Sequence, residues 1–204
     1  MNIEGELIYR AKRGDMSAFE DLISGYEKKV YNTVYRFFNN AEDAMDVSQE
    51  IFIKIFTSLD KFRGESSFST WLYRIAVNTC IDFSRKHREA TLPIHEESEI
   101  HNHLNLGTPT QLPEEFIENK EIRQAIADAI NMLPEEQKIC VILRDVQGFS
   151  YAEIGEILNC SLGTVKSRLY RGRRNLRELL KDMGIFSQAP SDGELQRGEQ
   201  HGRM

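Results

Sequence analysis

Apolar residues recur along most of the chain at the three- and four-residue spacing of a single helix face, and no sustained strand-type alternation competes with it. The pattern predicts an all-α protein. Ser17-Ala-Phe-Glu20 has the form of a capping box, and behind it Phe19, Leu22, Ile23, Tyr26, Val30, Val34 and Phe37 trace a stripe that ends at Asn39-Asn40. A helix from about Ala41 to Leu59 places Val47, Ile51, Ile55 and Leu59 on one face. Asp46, Gln49, Glu50 and Ile53 fall on another, an acidic face with one apolar member. A break over 60–67 contains Arg63-Gly64. Helical spacing then resumes from Phe68 to about Lys86 through Leu72, Ile75, Ala76 and Thr79, with the aromatics Phe68 and Trp71 at its start.

Periodicity fails from about Thr91 to Pro113, where Pro93, Gly107 and Pro109 sit among acids, a composition that cannot bury enough apolar surface to order itself. The expected organisation is two small helical domains, over 1–90 and 114–184, joined by a flexible acidic linker over 91–113 and followed by a disordered tail over 185–204. Inside the second domain, stripes run through Ile122, Ile126, Ala129, Ile130 and Leu133, then Ile139, Ile142, Leu143 and Val146.

The next segment carries a mechanism. Ser150-Tyr-Ala-Glu153 is a second capping box, opening a short helix with Ile154, Ile157 and Leu158 that stops at Asn159-Cys160-Ser161, where Asn tolerates a left-handed turn. A further helix turns Val165, Leu169, Gly172, Leu176 and Leu179 inward and Lys166, Tyr170, Arg173, Arg174 and Arg177 outward. Short helix, tight turn and basic helix form a helix-turn-helix pattern. Gly155 within the first helix costs about 1 kcal/mol relative to Ala, a cost that close approach of the second helix offsets. With the second helix in a major groove, Lys166, Ser167, Tyr170 and Arg171 face base edges. Arg168, Arg173, Arg174 and Arg177 then grip phosphates, and Arg144 adds one more such contact. A plain helical hairpin with a solvated basic face is the competing reading.

Charge sharpens this picture. The net charge of −6 opposes indiscriminate nucleic-acid binding, but the sum conceals segregation: residues 166–177 hold six bases and no acid, whereas 91–121 hold seven glutamates and one lysine. Cys80, Cys140 and Cys160 are scattered and odd in number, with no CxxC pair, so they read as reduced fillers rather than disulfides or metal ligands. His95, His101 and His103 lie in the acidic linker without a supporting shell, so no metal site is expected. No signal-peptide or membrane-length apolar run occurs, which predicts a cytoplasmic protein without membrane insertion. Nor is there a phosphate-cradling loop or a nucleophile with a positioned base, so no catalytic residue, cofactor or small-molecule substrate is expected.

Two blocks, DVSQEIFIKIFTSLDKFRGESSFSTWLYRIAVNTCIDFSRK and LPEEQKICVILRDVQGFSYAEIGEILNCSLGTVKSRLYRGRR, resemble the extracytoplasmic-function sigma factors of bacterial RNA polymerase, and together cover most of the chain outside linker and tail. The resemblance implies a non-enzymatic subunit that directs core polymerase to promoter DNA in a stress or envelope response and is held by an anti-sigma factor. It implies a first domain that binds core polymerase and the minus-10 element, and a second that reads the minus-35 element. Asp46, Gln49, Glu50 and Ile53 then suit a basic partner helix. Phe62, Arg63, Trp71, Arg74 and Asn78 supply stacking surfaces, charge and hydrogen bonds for opened DNA, with Phe62 in a base-capturing loop and Asn78 recognising the minus-10 element. Phe68 and Trp71 equally suit a packed core. Lys166 departs from the family, which often has arginine there, and its bidentate reading of guanine is weakened accordingly. A dimeric helix-turn-helix regulator acting without polymerase accounts for the second block and leaves the first unexplained. A pure protein-interaction module leaves the basic helix without a role.

Overall fold

The computed structural model describes residues 3–90 and 115–185, and side-chain surroundings over 3–88 and 122–185. Among the described residues there are helices and turns but no strand. The first domain comprises α1 (Ile3–Lys12), α2 (Met16–Phe38), α3 (Ala41–Ser58) with a 3-10 turn at Leu59–Lys61, and α4 (Phe68–Ala90). The second comprises α5 (Glu115–Asn131), α6 (Glu135–Val141) with a π-helical turn at Ile142–Val146, α7 (Tyr151–Leu158) and α8 (Leu162–Asp182). The histidines of the expected linker lie outside the described residues.

Helix boundaries follow from capping chemistry. The expected capping box at Ser17 is replaced by an earlier cap: Asp15 accepts a hydrogen bond from the Ala18 amide at 3.1 Å. Arg10 at the end of α1 forks onto the same carboxylate at 2.9 and 2.6 Å. A carboxylate that satisfies the helix amide and an arginine together is a better cap than a serine hydroxyl. At the other end, Asn39 adopts φ 54° and closes α2, its amide donating to the Tyr35 carbonyl at 2.7 Å. Asn40 then opens α3, its side chain accepting from the amides of Glu42 and Asp43. Two adjacent asparagines thus end one helix and begin the next. Ser67 accepts from the Thr70 amide at 3.1 Å and starts α4, which continues to Ala90, four residues beyond the expected end.

The predicted stripes are the cores. Val30, Val34 and Phe37 of α2 bury against Val47, Ile51 and Ile55 of α3 and Leu72 and Ala76 of α4. In the second domain Ala129, Ile130, Ile139, Leu143, Ile154, Ile157, Val165 and Leu169 are buried. Truncating a side chain such as Ile51 or Leu143 to Ala falls in the ~2–5 kcal/mol class of core deletions. Glycines mark the tight places. A Cβ on Gly155 would meet the Cys160 carbonyl at 3.0 Å, so the close neighbour is the turn itself, with Val165 of α8 behind it at 3.9 Å. A Cβ on Gly172 would meet Val141 at 3.0 Å, which lets α8 lie directly on α6.

Sequence patterning gave no sign of one feature: the two domains pack on each other, α4 against α7 and α2 against α5 and the π-helical turn. Their buried residues form one continuous cluster.

Candidate nucleic-acid interface

The helix-turn-helix is built as its residues dictate. Ser150 and Glu153 form a reciprocal box, the Glu153 amide donating to Ser150 Oγ at 3.2 Å and the Ser150 amide to Glu153 Oε2 at 2.8 Å. These contacts with Ser150 hold the Glu153 carboxyl below its usual range. Asn159 closes α7 at φ 48°, and two residues later Ser161 caps α8 by accepting from the Thr164 amide at 3.1 Å. Recognition helix and supporting helix are fixed at both facing ends.

Successive residues of a helix are separated by roughly 100°, which sorts the α8 cations. Lys166, Ser167, Tyr170, Arg171 and Arg174 share one exposed face, with Tyr170 69% accessible. Arg177 continues that face. Arg173 is exposed but forked onto Asp145 of the π-helical turn at 3.1 and 2.5 Å. Arg168 falls on the flank of the buried side. It pairs with Glu136 at 2.8 Å and contacts the Cys160 sulfur at 3.9 Å, with only 24% of its side chain accessible. In this structure it braces α6 against α8 rather than standing free as expected for a phosphate contact. Arg144 is likewise engaged: it donates to the Phe149 carbonyl at 2.8 Å and lies over the Tyr151 ring at 5.2 Å. It holds the loop leading into α7. Asp145 and Glu136, the acids that pin Arg173 and Arg168, were not singled out from sequence because their partners lie 28 and 32 residues away.

In the first domain, Phe62 is buried rather than presented by an open loop. Its ring meets Phe68 edge-on at 5.5 Å and Trp71 at 5.4 Å, and Lys12 donates to its carbonyl oxygen. Phe68 is a core residue at 2% accessibility, while Trp71 remains half-buried. Beside this aromatic cluster opens a cavity of about 570 Å³, lined by Phe62, Arg63, Trp71 and Arg74 together with Asp60, Lys61, Glu65 and Ser66. Four of the five expected minus-10 residues thus line one cavity. Arg74 Nε is buried without a hydrogen-bond partner among the described residues. Asn78 stands apart, exposed on α4 and lining a different cleft.

The outer face of α3 carries Asp46 and Gln49, both exposed, and Ile53 at 57% accessibility. Glu50 is half-buried and pairs with Lys54 at 2.7 Å, so its charge is partly neutralised. Met45 at 66% and Phe56 at 44% extend the apolar part of this face. Sequence reasoning passed over both, although spacings of four, four and three residues put Met45, Gln49, Ile53 and Phe56 in one row.

The arrangement of an α3 face suited to a protein partner, a cationic cavity beside aromatics and a basic recognition helix defines a sigma-70-type initiation subunit. Residues 22–90 match Sigma-70 region 2 and residues 123–176 match Sigma-70, region 4. The chain is 37% identical over 182 residues to the ECF RNA polymerase sigma factor SigW of Bacillus subtilis, covering 86% of this chain and 96% of that one. It is 39% identical over 171 residues to the ECF RNA polymerase sigma-E factor of Escherichia coli, covering 82% and 88% respectively. The chain belongs to the ECF, or extracytoplasmic-function, RNA polymerase sigma factors. Among solved structures, the sigma factor RpoE in complex with the anti-sigma factor NepR from Bartonella quintana superposes with a TM-score of 0.62 at 26% identity, over 80% of this chain and 96% of that one. The protein is thus a transcription initiation factor that directs RNA polymerase to promoters.

Proposed function

We propose that the three surfaces divide promoter recognition among them. The α3 face of Met45, Asp46, Gln49, Glu50, Ile53 and Phe56 docks on a basic helix of core polymerase, apolar anchors at its centre and carboxylates at its rim. The cavity beside Phe62, Arg63, Trp71 and Arg74 receives a base released from the stack at the minus-10 element, and Asn78 reads that element. Stacking on Trp71 and the positive charge of Arg63 and Arg74 offset the few kcal/mol that unstacking costs. Lys166, Ser167, Tyr170 and Arg171 read minus-35 base edges, while Arg174 and Arg177 meet phosphates. Bond making belongs to the polymerase, and the protein works in the cytoplasm, where polymerase and DNA are. No helix among the described residues is long and apolar enough to cross a membrane. Its partner of restraint is an anti-sigma factor, and its promoters serve a stress or envelope response.

One observation carries this reading: the exposed α8 face is cationic, with Lys166, Arg171, Arg174 and Arg177 unpaired among the described residues, while Arg144, Arg168 and Arg173 are tied to a carbonyl or to acids. The test is run-off transcription by purified chain and core polymerase on a promoter library. Initiation at a defined subset of templates is expected. No initiation at any template overturns the reading.

A further inference from the structure

Helix α1 precedes the residues that match Sigma-70 region 2, yet it is anchored in the first domain. Ala11 is buried in the core, and Leu7 and Ile8 pack against it. Tyr26 of α2 donates to Glu4 at 2.6 Å, and Arg10 shares the carboxylate that caps α2. Lys12, the last residue of α1, is turned toward a different neighbour. Its ammonium donates to the Phe62 carbonyl oxygen, 50 residues along the chain, and lies 5.8 Å from the centre of the Phe62 ring. One cation therefore holds both the backbone and the ring of a single residue.

Phe62 is the residue on which the loop between α3 and α4 turns. Its amide donates to the Leu59 carbonyl at 3.0 Å where the 3-10 turn ends, and two residues later Gly64 at φ 75° bends the chain again. In a residue only 8% accessible, a carbonyl without a donor is costly, and Lys12 supplies the donor. Among the described residues, no other side chain from outside the loop hydrogen-bonds or pairs with residues 60–65. The cavity of about 570 Å³ is lined mostly by that loop, between Asp60 and Ser66, while Trp71 and Arg74 come from α4. The shape of the cavity is thus the shape of the loop. The loop in turn hangs on Lys12 and on the packing of the Phe62 ring against Phe68 and Trp71.

We infer that Lys12 is a positioning residue for promoter opening: from α1 it fixes the loop in the shape that takes in a base, without itself lining the cavity. The inference rests on the role proposed above for the cavity beside Phe62 and Trp71. A loop fixed before the base arrives has less freedom to lose on binding it. Without the pin, the receptive shape is one of several, and the apparent affinity for the opened strand falls with the fraction of time that this shape is populated. The role asks for a donor at that reach, not for positive charge in general. The adjacent Arg13 is a built-in comparison: it is exposed, donates to Tyr9 Oη at 3.0 Å and lies over the Tyr9 ring at 5.5 Å.

The test uses the full chain and core polymerase. Lys12→Met keeps most of the stem and loses the donor, Lys12→Arg restores a donor, and Arg13→Ala removes a neighbouring charge. Trp71 is the chain's one tryptophan and borders Phe62, so its fluorescence reports on the loop. In the free chain, acrylamide should quench Trp71 more readily in Lys12→Met than in the unaltered protein or in Arg13→Ala. Opening is then followed in the holoenzyme with a fluorescent adenine analogue placed across the minus-10 element of a promoter taken from the run-off library. Lys12→Met should make opening about tenfold less favourable. Lys12→Arg should recover most of that loss, and Arg13→Ala should behave as the unaltered chain. Affinity for core, and for a duplex carrying only the minus-35 element, should be the same in every variant. Lys12→Gln, polar and one bond shorter, breaks the contact in a second way should Lys12→Met fold poorly.

Unchanged opening in Lys12→Met, with Trp71→Ala still lowering it, overturns the positioning role and leaves the cavity assignment standing. An equal loss in Arg13→Ala overturns it too, because the effect is then one of charge alone. So does a loss that Lys12→Arg fails to recover, or one that appears only in affinity for core. If Arg63→Ala and Trp71→Ala both leave opening unchanged, the cavity assignment itself fails and the role of Lys12 fails with it.

Discussion

The outer faces of α3 and α8 are both left uncovered by the fold, and they are uncovered in opposite ways. On α3 the exposed row is Met45, Gln49, Ile53 and Phe56 with Asp46 alongside, three large apolar groups beside a carboxylate. On α8 it is Lys166, Ser167, Tyr170, Arg171 and Arg174, in which cations outnumber every other kind. Apolar groups gain by being taken out of water against a complementary surface and gain little from a polyanion. Cations facing phosphates release counterions and need little apolar burial. The first face is therefore suited to a protein partner and the second to a polyanion. The acids of the second domain are not spread at random either. Asp145 and Glu136 tie down Arg173 and Arg168, leaving the remaining bases of α8 unopposed.

The largest effect should come from the apolar face. Ile53→Ala is expected to weaken binding to core polymerase by about 2 kcal/mol or more, roughly thirtyfold, if it is a central anchor. Asp46→Ala with Glu50→Ala should cost less, act mainly on the association rate and fade with added salt, because Glu50 is already paired with Lys54. Titrating labelled chain with core enzyme at two ionic strengths separates these. If the double carboxylate variant loses more than Ile53→Ala, the contrast between the two faces is wrong.

The next effect belongs to α8. Arg171→Ala should lower minus-35-dependent transcription by about 1–3 kcal/mol in promoter affinity if it makes a base contact. Arg168→Ala should leave the salt dependence of duplex binding unchanged, whereas removal of a phosphate-contacting arginine such as Arg174 should reduce the slope of log K against log salt by about 0.9. Equal slopes for the Arg168 and Arg174 variants would show that the Glu136 pair opens on DNA.

How far these faces could be read from the sequence depended on the range of the interaction. Helix stripes, the Ser150–Glu153 box and the left-handed Asn159 were legible because each is decided within four residues or one turn. The six-base run marked α8 as the candidate DNA helix, but it could not distinguish free from tethered arginines, since Asp145 and Glu136 come from other elements. The tether of Arg168 has a local cause as well: its helical angle puts it next to the buried side, which charge alone does not reveal. Ser17 lost the α2 cap to Asp15 because Arg10 of the preceding helix favours the carboxylate. The aromatic cluster of Phe62, Phe68 and Trp71 was visible as composition, but its packing was not. Least legible was the seam between the domains. Lys138, Tyr73 and Gln147 carry no periodic signature, and a buried lysine looks in sequence like any surface lysine.

The smallest effect asks what keeps the DNA face rigid while the α3 face needs only to be exposed. Ser150→Ala removes one partner of the box that starts α7 and should destabilise the second domain by about 1 kcal/mol, the usual value of such a cap. Two buried thiols allow the domains to be followed separately. Burial pushes Cys80 of the first domain and Cys140 of the second each up to about 12, so both resist alkylation near neutral pH until their surroundings open. Ser150→Ala should speed modification of Cys140 by about fivefold, the equivalent of 1 kcal/mol, and leave Cys80 nearly unchanged. The pH dependence has a fixed sign. Because Glu153 is held below its ordinary value by the side chain and amide of Ser150, the box adds stability above the ordinary carboxylate range and loses it as pH falls through the lowered folded-state value. Glu153→Gln should therefore flatten the acid side of the Cys140 opening profile. An acid limb that survives in Glu153→Gln, or a Cys80 rate that rises with that of Cys140, would mean that α7 is held by the neighbouring domain rather than by its own cap.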